Sequence, residues 1–349
     1  MSGVYISGLG AVSPAGWSVA ALRDALAKEQ LLPRTELPHP SRELTAGRGG
    51  PLQVMRVPPP NPRPAFLGHV RLRRTSPITQ FAVAAALEAL GPRDPTTTRK
   101  IGVIVCVFSG CVNYSRRFYD EALKDPATAS PLVFPETVFN APASHISAYL
   151  GSSAINYTLV GDAGTFLAGI ATGAKWLLEG SVEECLVVGT EEIDWLTADA
   201  VRLFDRTKFL SEGAGAILLR KEGPVRIEAV TDEVLYHVSG KTAALAEMRQ
   251  QLEGSARPMG ASHSGSSGPL VIDSTSHEKG ISKEETLLWK NWTGSRLSPK
   301  KILGEGLMAS AAWQVVAAAD ALFNQRARET IVSIAGFHQH AVGARFIVA

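Results

Sequence analysis

The chain has 349 residues, enough to bury a large core either as two ordinary domains or as one large duplicated unit. Its 35 Lys and Arg against 33 Asp and Glu leave a formal net charge of +2, so no global field draws in nucleic acid or an anionic membrane, and partners must be recognised locally. The cysteines Cys106, Cys111 and Cys185 stand alone in apolar runs without a CxxC pair, which argues against a zinc site or disulfide framework and fits a reducing cytoplasm.

Val4 to Ile6, followed by Gly8, Gly10 and Pro14, reads as a first strand leaving through a tight loop, without the basic stretch that opens a signal peptide. Ser18 to Lys28 has helical periodicity, with Ser18 as its cap. Residues 32–64 contain PLQVMRVPPPNPRPA, too rich in proline for a core helix or central strand, and read as surface loop. Arg63, Arg71, Arg73 and Arg74 surround the end of that loop.

From Ser76 the pattern is regular: helix 76–90, strand 101–107, an irregular region to about 135, helix 140–149, strand 155–160, helix 163–179 and strand 184–189. The longest apolar run, IGVIVCVFSGCV, falls well short of the ~18 residues a spanning helix needs. Strands alternating with helices predict an α/β sheet, and the near-continuous apolar character of the strands predicts burial on both faces. Residues 254–269, GSARPMGASHSGSSGP, form a flexible Gly/Ser-rich passage, after which the strand and helix order resumes.

The second half repeats the first in outline. Gly161-Asp162-Ala163 opens a small-residue helix ending near Gly180, followed by ECLVVGTEE; Gly304-Glu305-Gly306 opens LMASAAWQVVAAADALF, followed by TIVSIAG. The similar order suggests an internal duplication, divided here as 1–225 and 226–349 within one compact unit.

Several stretches together resemble the β-ketoacyl-acyl carrier protein synthases, the condensing enzymes of fatty acid and polyketide synthesis. ISGLGAVSPAGWSVAALRDAL is similar to that family's first strand, glycine loop and helix, and FNAPASHISAYLGSSAINYTLVGDAG to its run from the dimer-interface helix and strand into the nucleophile elbow. FDRTKFLSEGAGAILL and SIAGFHQHAVGARFIV resemble its acid-Gly-Ala-Gly signature and its closing strand, Gly-Phe-Gly-Gly loop and strand. The resemblance implies a thiolase-like α/β fold of duplicated halves layered α-β-α-β-α.

In the family the elbow displays a cysteine at the start of a buried helix, where the helix N-terminus favours the thiolate. Aligned without gaps, Asn140, His145, Gly151 and Gly180 fall on family positions, and the cysteine falls on Ala163; a one-residue slip would place Asp162 there. The family's His-Gly-Thr loop aligns with Ser274-Thr275-Ser276, with His277 arriving late, and its second histidine aligns with Glu305. The supporting lysine persists as Lys300 or Lys301, and Phe337 matches the gating phenylalanine. Without cysteine and both histidines, decarboxylative condensation has no reagents.

The resemblance therefore points to a chain-length-factor-type subunit: a non-catalytic, cytoplasmic partner of a cysteine-bearing ketosynthase in type II polyketide, aryl-polyene or fatty-acid-like biosynthesis. It would form a heterodimer, serve an acyl carrier protein and shape the acyl tunnel across the interface. Helix 140–149 and strand 155–160 would form that interface, with Phe108, Cys111, Phe134, Phe139, Asn140 and His145 at the interface or tunnel wall, ordinary core or interface packing being the default for the phenylalanines and Cys111. The alternatives are a thiolase-fold enzyme with altered chemistry, a malonyl-carrier decarboxylase or acyl thioester hydrolase using Asp162, Glu305, His277 or Cys111, and a homodimeric scaffold.

Other features are ambiguous in sequence alone. Asp162 reads as a helix cap or a general base, with Glu305 as its match in the second half. His338 and His340 have the spacing of a metal pair on one side of a strand, but a third ligand is not evident, and His263 or His277 would serve only through a fold that sequence does not show. No metal or cofactor is expected: GLGAVSPAG lacks the lysine and spacing of a phosphate loop. The arginine group is either a carrier-protein dock or a solvated edge.

Overall fold

A computed structural model describes residues 3–38, 51–92, 100–205, 208–254, 268–276, 283–336 and 339–349. The first apolar run forms β1 (Tyr5–Val12), followed by α1 (Val19–Lys28), whose cap Ser18 accepts a hydrogen bond from Ala21 N. Part of the proline-rich region is not loop: β2 (Thr35–Leu37) and β3 (Leu52–Met55) pair with each other, and with β7 below form a small three-stranded sheet. β3 is the middle strand, and Pro33, Pro38, Pro51 and Pro58 flank the two strands without entering them, so the ladders keep their N–H donors.

Then come α2 (Pro77–Leu90), β4 (Ile101–Val107), α3 (Val112–Lys124), α4 (Ala141–Leu150), β5 (Asn156–Val160), α5 (Thr165–Leu178), β6 (Glu184–Glu191), α6 (Trp195–Phe204), β7 (Leu210–Ser211) and β8 (Gly213–Arg220). The remainder comprises β9 (Val225–Val230), β10 (Val234–Leu235), α7 (Lys241–Glu253), β11 (Leu270–Ile272), α8 (Lys283–Leu288), β12 (Ser295–Leu297), α9 (Lys300–Leu303), α10 (Met308–Phe323), β13 (Glu329–Ala335) and β14 (His340–Val348). The irregular region before residue 135 thus contains a helix, α3. It has no buried residue, so it carries no apolar stripe aimed at a core.

The main sheet runs β12-β11-β13-β14-β9-β1-β8-β6-β4-β5, with β10 on β14. It consists of two five-strand sets with one topology. In the first, β5-β4-β6 are parallel and β6-β8-β1 antiparallel; in the second, β12-β11-β13 are parallel and β13-β14-β9 antiparallel. Numbered by chain order within its set, each reads 3-2-4-5-1. The sets join where Tyr5 and Ile6 of β1 pair with Arg226 and Val225 of β9.

Side-chain alternation explains the layering. Val103, Val105 and Val107 of β4 face one apolar cluster with α2 and α4, whereas Ile104 and Cys106 face another with α5 and α10. In the second set Ile331 and Ala341 face α7 and Trp289, whereas Val332, Ile334 and Val342 turn to the cluster of α5 and α10. The order is therefore helix, sheet, central helices, sheet, helix. Every residue of α10 from Met308 to Leu322 is buried, as a helix between two sheets requires.

The small residues of α5 permit its close seat on the sheet. A Cβ at Gly169 would lie 2.8 Å from Cys106 Sγ, and one at Gly173 would lie 2.9 Å from Cys185 Sγ. These two thiols are packing groups beneath a helix. Among the described residues, no helix is long and apolar enough to cross a membrane.

Candidate active-site remnant at the two elbows

β5 ends at Val160, Gly161 N still pairs with Val107 O at 3.1 Å, and the chain turns through Asp162, Ala163 and Gly164 into α5. Ala163 is 2% exposed and presents only its methyl at the turn. Asp162 Oδ1 accepts the Ala163 N–H at 2.7 Å within the turn, whereas the residue that caps α5 is Gly164, which has no side chain to do so. From the other half, the first residue of β14 brings His340 to the same place. Gly164 N donates to His340 Nε2 at 3.3 Å, and Asp162 Oδ2 lies 3.6 Å from that nitrogen.

The other ring nitrogen, Nδ1, contacts Glu233 Oε1. Nε2 thus faces the Gly164 N–H and the Asp162 carboxylate, and Nδ1 faces the Glu233 carboxylate. The seat is tight: a Cβ at Gly336 would lie 2.3 Å from both Asp162 Oδ2 and His340 Nε2. Burial, then the charges of Asp162 and Glu285, push the Tyr236 hydroxyl up to about 12.

No native thiol replaces the missing one. Cys106 Sγ reaches Thr165 O at 3.7 Å from below α5, and burial followed by the neighbouring Cys185 pushes its pKa up. Cys185 is raised by burial as well. Cys111, at the start of α3, is 2% exposed and is pushed up to about 12 by burial and then by the Glu192 charge. All three are poor nucleophiles at neutral pH.

Ser274 lies after β11, tied into the chain's own polar network. Its Oγ donates to Ser333 O at 3.1 Å and accepts from Gln314 Nε2 at 3.2 Å, while its N–H donates to Glu285 Oε1 at 3.1 Å. Burial, then the charge of Asp273, push the Glu285 carboxyl up to about 7. Among the described residues, the hydrogen-bond partners of Ser274 are Ser333, Gln314, Glu285 and Ala335, none of them an imidazole. His277 lies outside the described residues.

The second elbow is built from charge. Glu305 is 5% exposed; Lys300 Nζ donates to its Oε2 at 2.8 Å, Leu307 N donates to Oε1 at 2.9 Å, and Lys208 Nζ stands 4.0 Å away. Burial pushes the Glu305 carboxyl up, yet Lys300 and Lys208 outweigh it and hold the group below the usual range. Of the two candidate lysines, Lys300 is therefore the one that supports the elbow. Beside it, a pocket of about 30 Å³ lies between Arg34, Lys208, Phe209, Ser276, Lys300 and Glu305. That volume holds about one water.

The structure brings Asp162 together with His340, and Lys300 with Glu305; it does not bring Asp162 and Glu305 into a pair, each carboxylate having its own partners. Phe337 and His338 lie outside the described residues. His340 is surrounded by carboxylates, and among the described residues no group of three or more His, Cys, Asp or Glu could hold a metal. His340 and Glu233 as elbow residues escaped the sequence reading: β14 and the segment before β10 meet the elbow only through the fold.

The interface candidates divide by exposure. Phe134 is 56% and Phe139 45% exposed, and Phe139 lies against Gly110, where a Cβ would meet its ring at 2.3 Å. Phe108 is half-buried and packs with Leu307, Ile193 and Leu210, whereas Cys111 points into the core beneath α2 and α4. Asn140 Oδ1 accepts from Thr158 Oγ1 at 2.9 Å, joining α4 to β5, and His145 Nε2 is 2.6 Å from Glu136 Oε1. β5 is an edge strand whose Tyr157 and Val160 are 52% and 53% exposed. Arg63, Arg71, Arg73 and Arg74 are all exposed.

Residues 1–218 match the sequence profile described as β-ketoacyl synthase, N-terminal domain. The chain belongs to the β-ketoacyl synthase family. A comparison with curated proteins gives no match.

Among solved structures, this β-ketoacyl synthase family member is similar to the ishigamide ketosynthase/chain length factor, at 20% identity and TM-score 0.78 over 99% of each chain. It is also similar to a structure of the ketosynthase ApeO in complex with its chain length factor ApeC from Xenorhabdus doucetiae, at 16% identity and TM-score 0.73 over 99% of this chain and 98% of that one. A third similar structure, AntDE:AntF, contains a type II polyketide synthase acyl-carrier protein in complex with its ketosynthase, at 14% identity and TM-score 0.69 over 99% of each chain. These similarities identify the thiolase-like fold that ketosynthases and chain length factors share.

Proposed function

We propose that this chain is a non-catalytic, chain-length-factor-type partner of an active, cysteine-bearing ketosynthase in type II polyketide, aryl-polyene or fatty-acid-like biosynthesis. The observation that carries the reading is the first elbow, which offers a buried Ala163 methyl between Asp162 and His340 where acyl transfer needs a thiolate. The other two reaction positions support it: Ser274 and Glu305 are engaged in the chain's own hydrogen bonds and ion pairs.

The partner surface is the β5 edge with the exposed apolar residues Tyr157, Val160, Phe134, Val138 and Phe139 beside it. An exposed edge strand offers a row of backbone groups to a second chain, and aromatic side chains around it supply the buried area. An obligate pairing of this kind buries more than about 2,000 Å². The heterodimer also supplies the thiol that this chain lacks, whereas a homodimer would pair two elbows without one. Acyl carrier protein is the partner that delivers chains to such a complex.

Co-expression with a cysteine-bearing ketosynthase encoded beside it tests the reading. A one-to-one complex that survives size exclusion, and products that change in length when this subunit is omitted, are the expected results. Absence of a complex together with unchanged products would overturn it.

A further inference from the structure

We propose that the first elbow is plugged by the chain's own Asp162 and His340, so that replacing Ala163 with cysteine does not by itself restore a reactive site. The reading of the chain as non-catalytic rests on a missing thiol; the plug is a second, separate cause of silence.

The free amides at a helix N-terminus stabilise an anion, a thiolate or a developing oxyanion, only while they remain available to it. At α5 the first helical amides, those of Thr165, Phe166 and Leu167, already donate to the carbonyls of Asp162, Ala163 and Gly164, and the two amides of the turn just before them are taken up by side chains. The Ala163 N–H is donated to Asp162 Oδ1 at 2.7 Å, and the Gly164 N–H to His340 Nε2 at 3.3 Å. The plug is seated firmly. Asp162 and His340 are 3% and 4% exposed, His340 is anchored through Nδ1 to Glu233, and Gly336 leaves no room for a Cβ beside either side chain.

The electrostatics follow from the same geometry. A sulfur one bond beyond the Ala163 methyl would ionise next to a buried carboxylate, and a like charge raises a thiol pKa where an unoccupied helix end lowers it.

The test is a thiolate titration of the Ala163→Cys chain, read as the absorbance difference at 240 nm against the unmodified chain, in which Cys106, Cys111 and Cys185 cancel. The expected midpoint lies above the ~8.5 of free cysteine. Asp162→Asn in the same background keeps an oxygen to accept the Ala163 N–H while removing the charge, and lowers the midpoint by at least about one pH unit. A midpoint at or below that of free cysteine in the single variant overturns the proposal, as does an unchanged midpoint in the double variant. The single variant adds only a sulfur, so its result decides the question even if the double variant does not fold. The chain is titrated alone, so failure to pair with a ketosynthase would leave this result standing.

Discussion

Lys300 Nζ lies 2.8 Å from Glu305 Oε2, and both side chains are at least nine-tenths buried. Removing one member of such a pair strands the other without compensation. Glu305→Gln should therefore destabilise the chain by about 3–5 kcal/mol in urea unfolding, whereas Lys300→Met with Glu305→Leu recovers most of the loss. Equal losses in the single and double variants would contradict the pairing.

The same pair has a pH signature. Because the Glu305 carboxyl is held below its ordinary value, the folded state binds its proton less readily than the unfolded chain does. Its contribution is present above the unfolded pKa, about 4.3, and is lost as pH falls through the depressed folded value. Unfolding measured between pH 3 and 6 should show a shallower acid loss in Glu305→Gln than in the parent.

Glu191 behaves in the opposite sense. Burial pushes its carboxyl up to about 8 even though it accepts the Phe108 and Ser109 N–H groups. A raised folded pKa means that the folded state holds the proton over a range where the unfolded chain has lost it. The stability from this group is present below the unfolded pKa and fades as pH rises through about 8. Thermal unfolding from pH 5 to 9 should fall less steeply in Glu191→Gln; identical slopes would contradict the assignment.

Tyr157 and Val160 stand on the outer edge of the sheet with about half their surfaces exposed. Tyr157 also packs edge-on against Trp176, so replacing both with aspartate should cost the chain's own stability about 1–2 kcal/mol and leave it folded. The same change should weaken association with a ketosynthase at least tenfold, as a buried charge in the interface would. Calorimetry on the isolated chain and sedimentation of the mixture separate the two effects.

The native thiols give a simple check on packing. Cys106, Cys111 and Cys185 are all buried. A disulfide reagent should find none of them in the folded chain at neutral pH within minutes, and all three in denaturant. Rapid reaction of one thiol in the folded chain would contradict the burial of that cysteine.

Much of this architecture is legible in the sequence where burial writes itself into composition. The apolar runs of β4 and β6 and the small-residue helices α5 and α10 declare themselves because both faces of each must be covered. Ser18 announces α1 through its capping chemistry. α3 is hidden because none of its residues is buried, and β2 and β3 because prolines flanking two short strands imitate loop. At the elbow, the alanine is readable by alignment with the family, but what surrounds it is not. Asp162 and His340 are separated by most of the second half of the chain, and Glu233 approaches from a third segment. Their meeting follows from the order of strands in the sheet, and no local pattern encodes it.

The most direct measurement is an intact-mass analysis of the co-purified complex after brief exposure to acyl-loaded carrier protein. The acyl mass should appear on the cysteine-bearing ketosynthase alone, with this chain unmodified at every time point. An acyl adduct on this chain, formed at the rate of turnover, would contradict its assignment as the silent member of the pair.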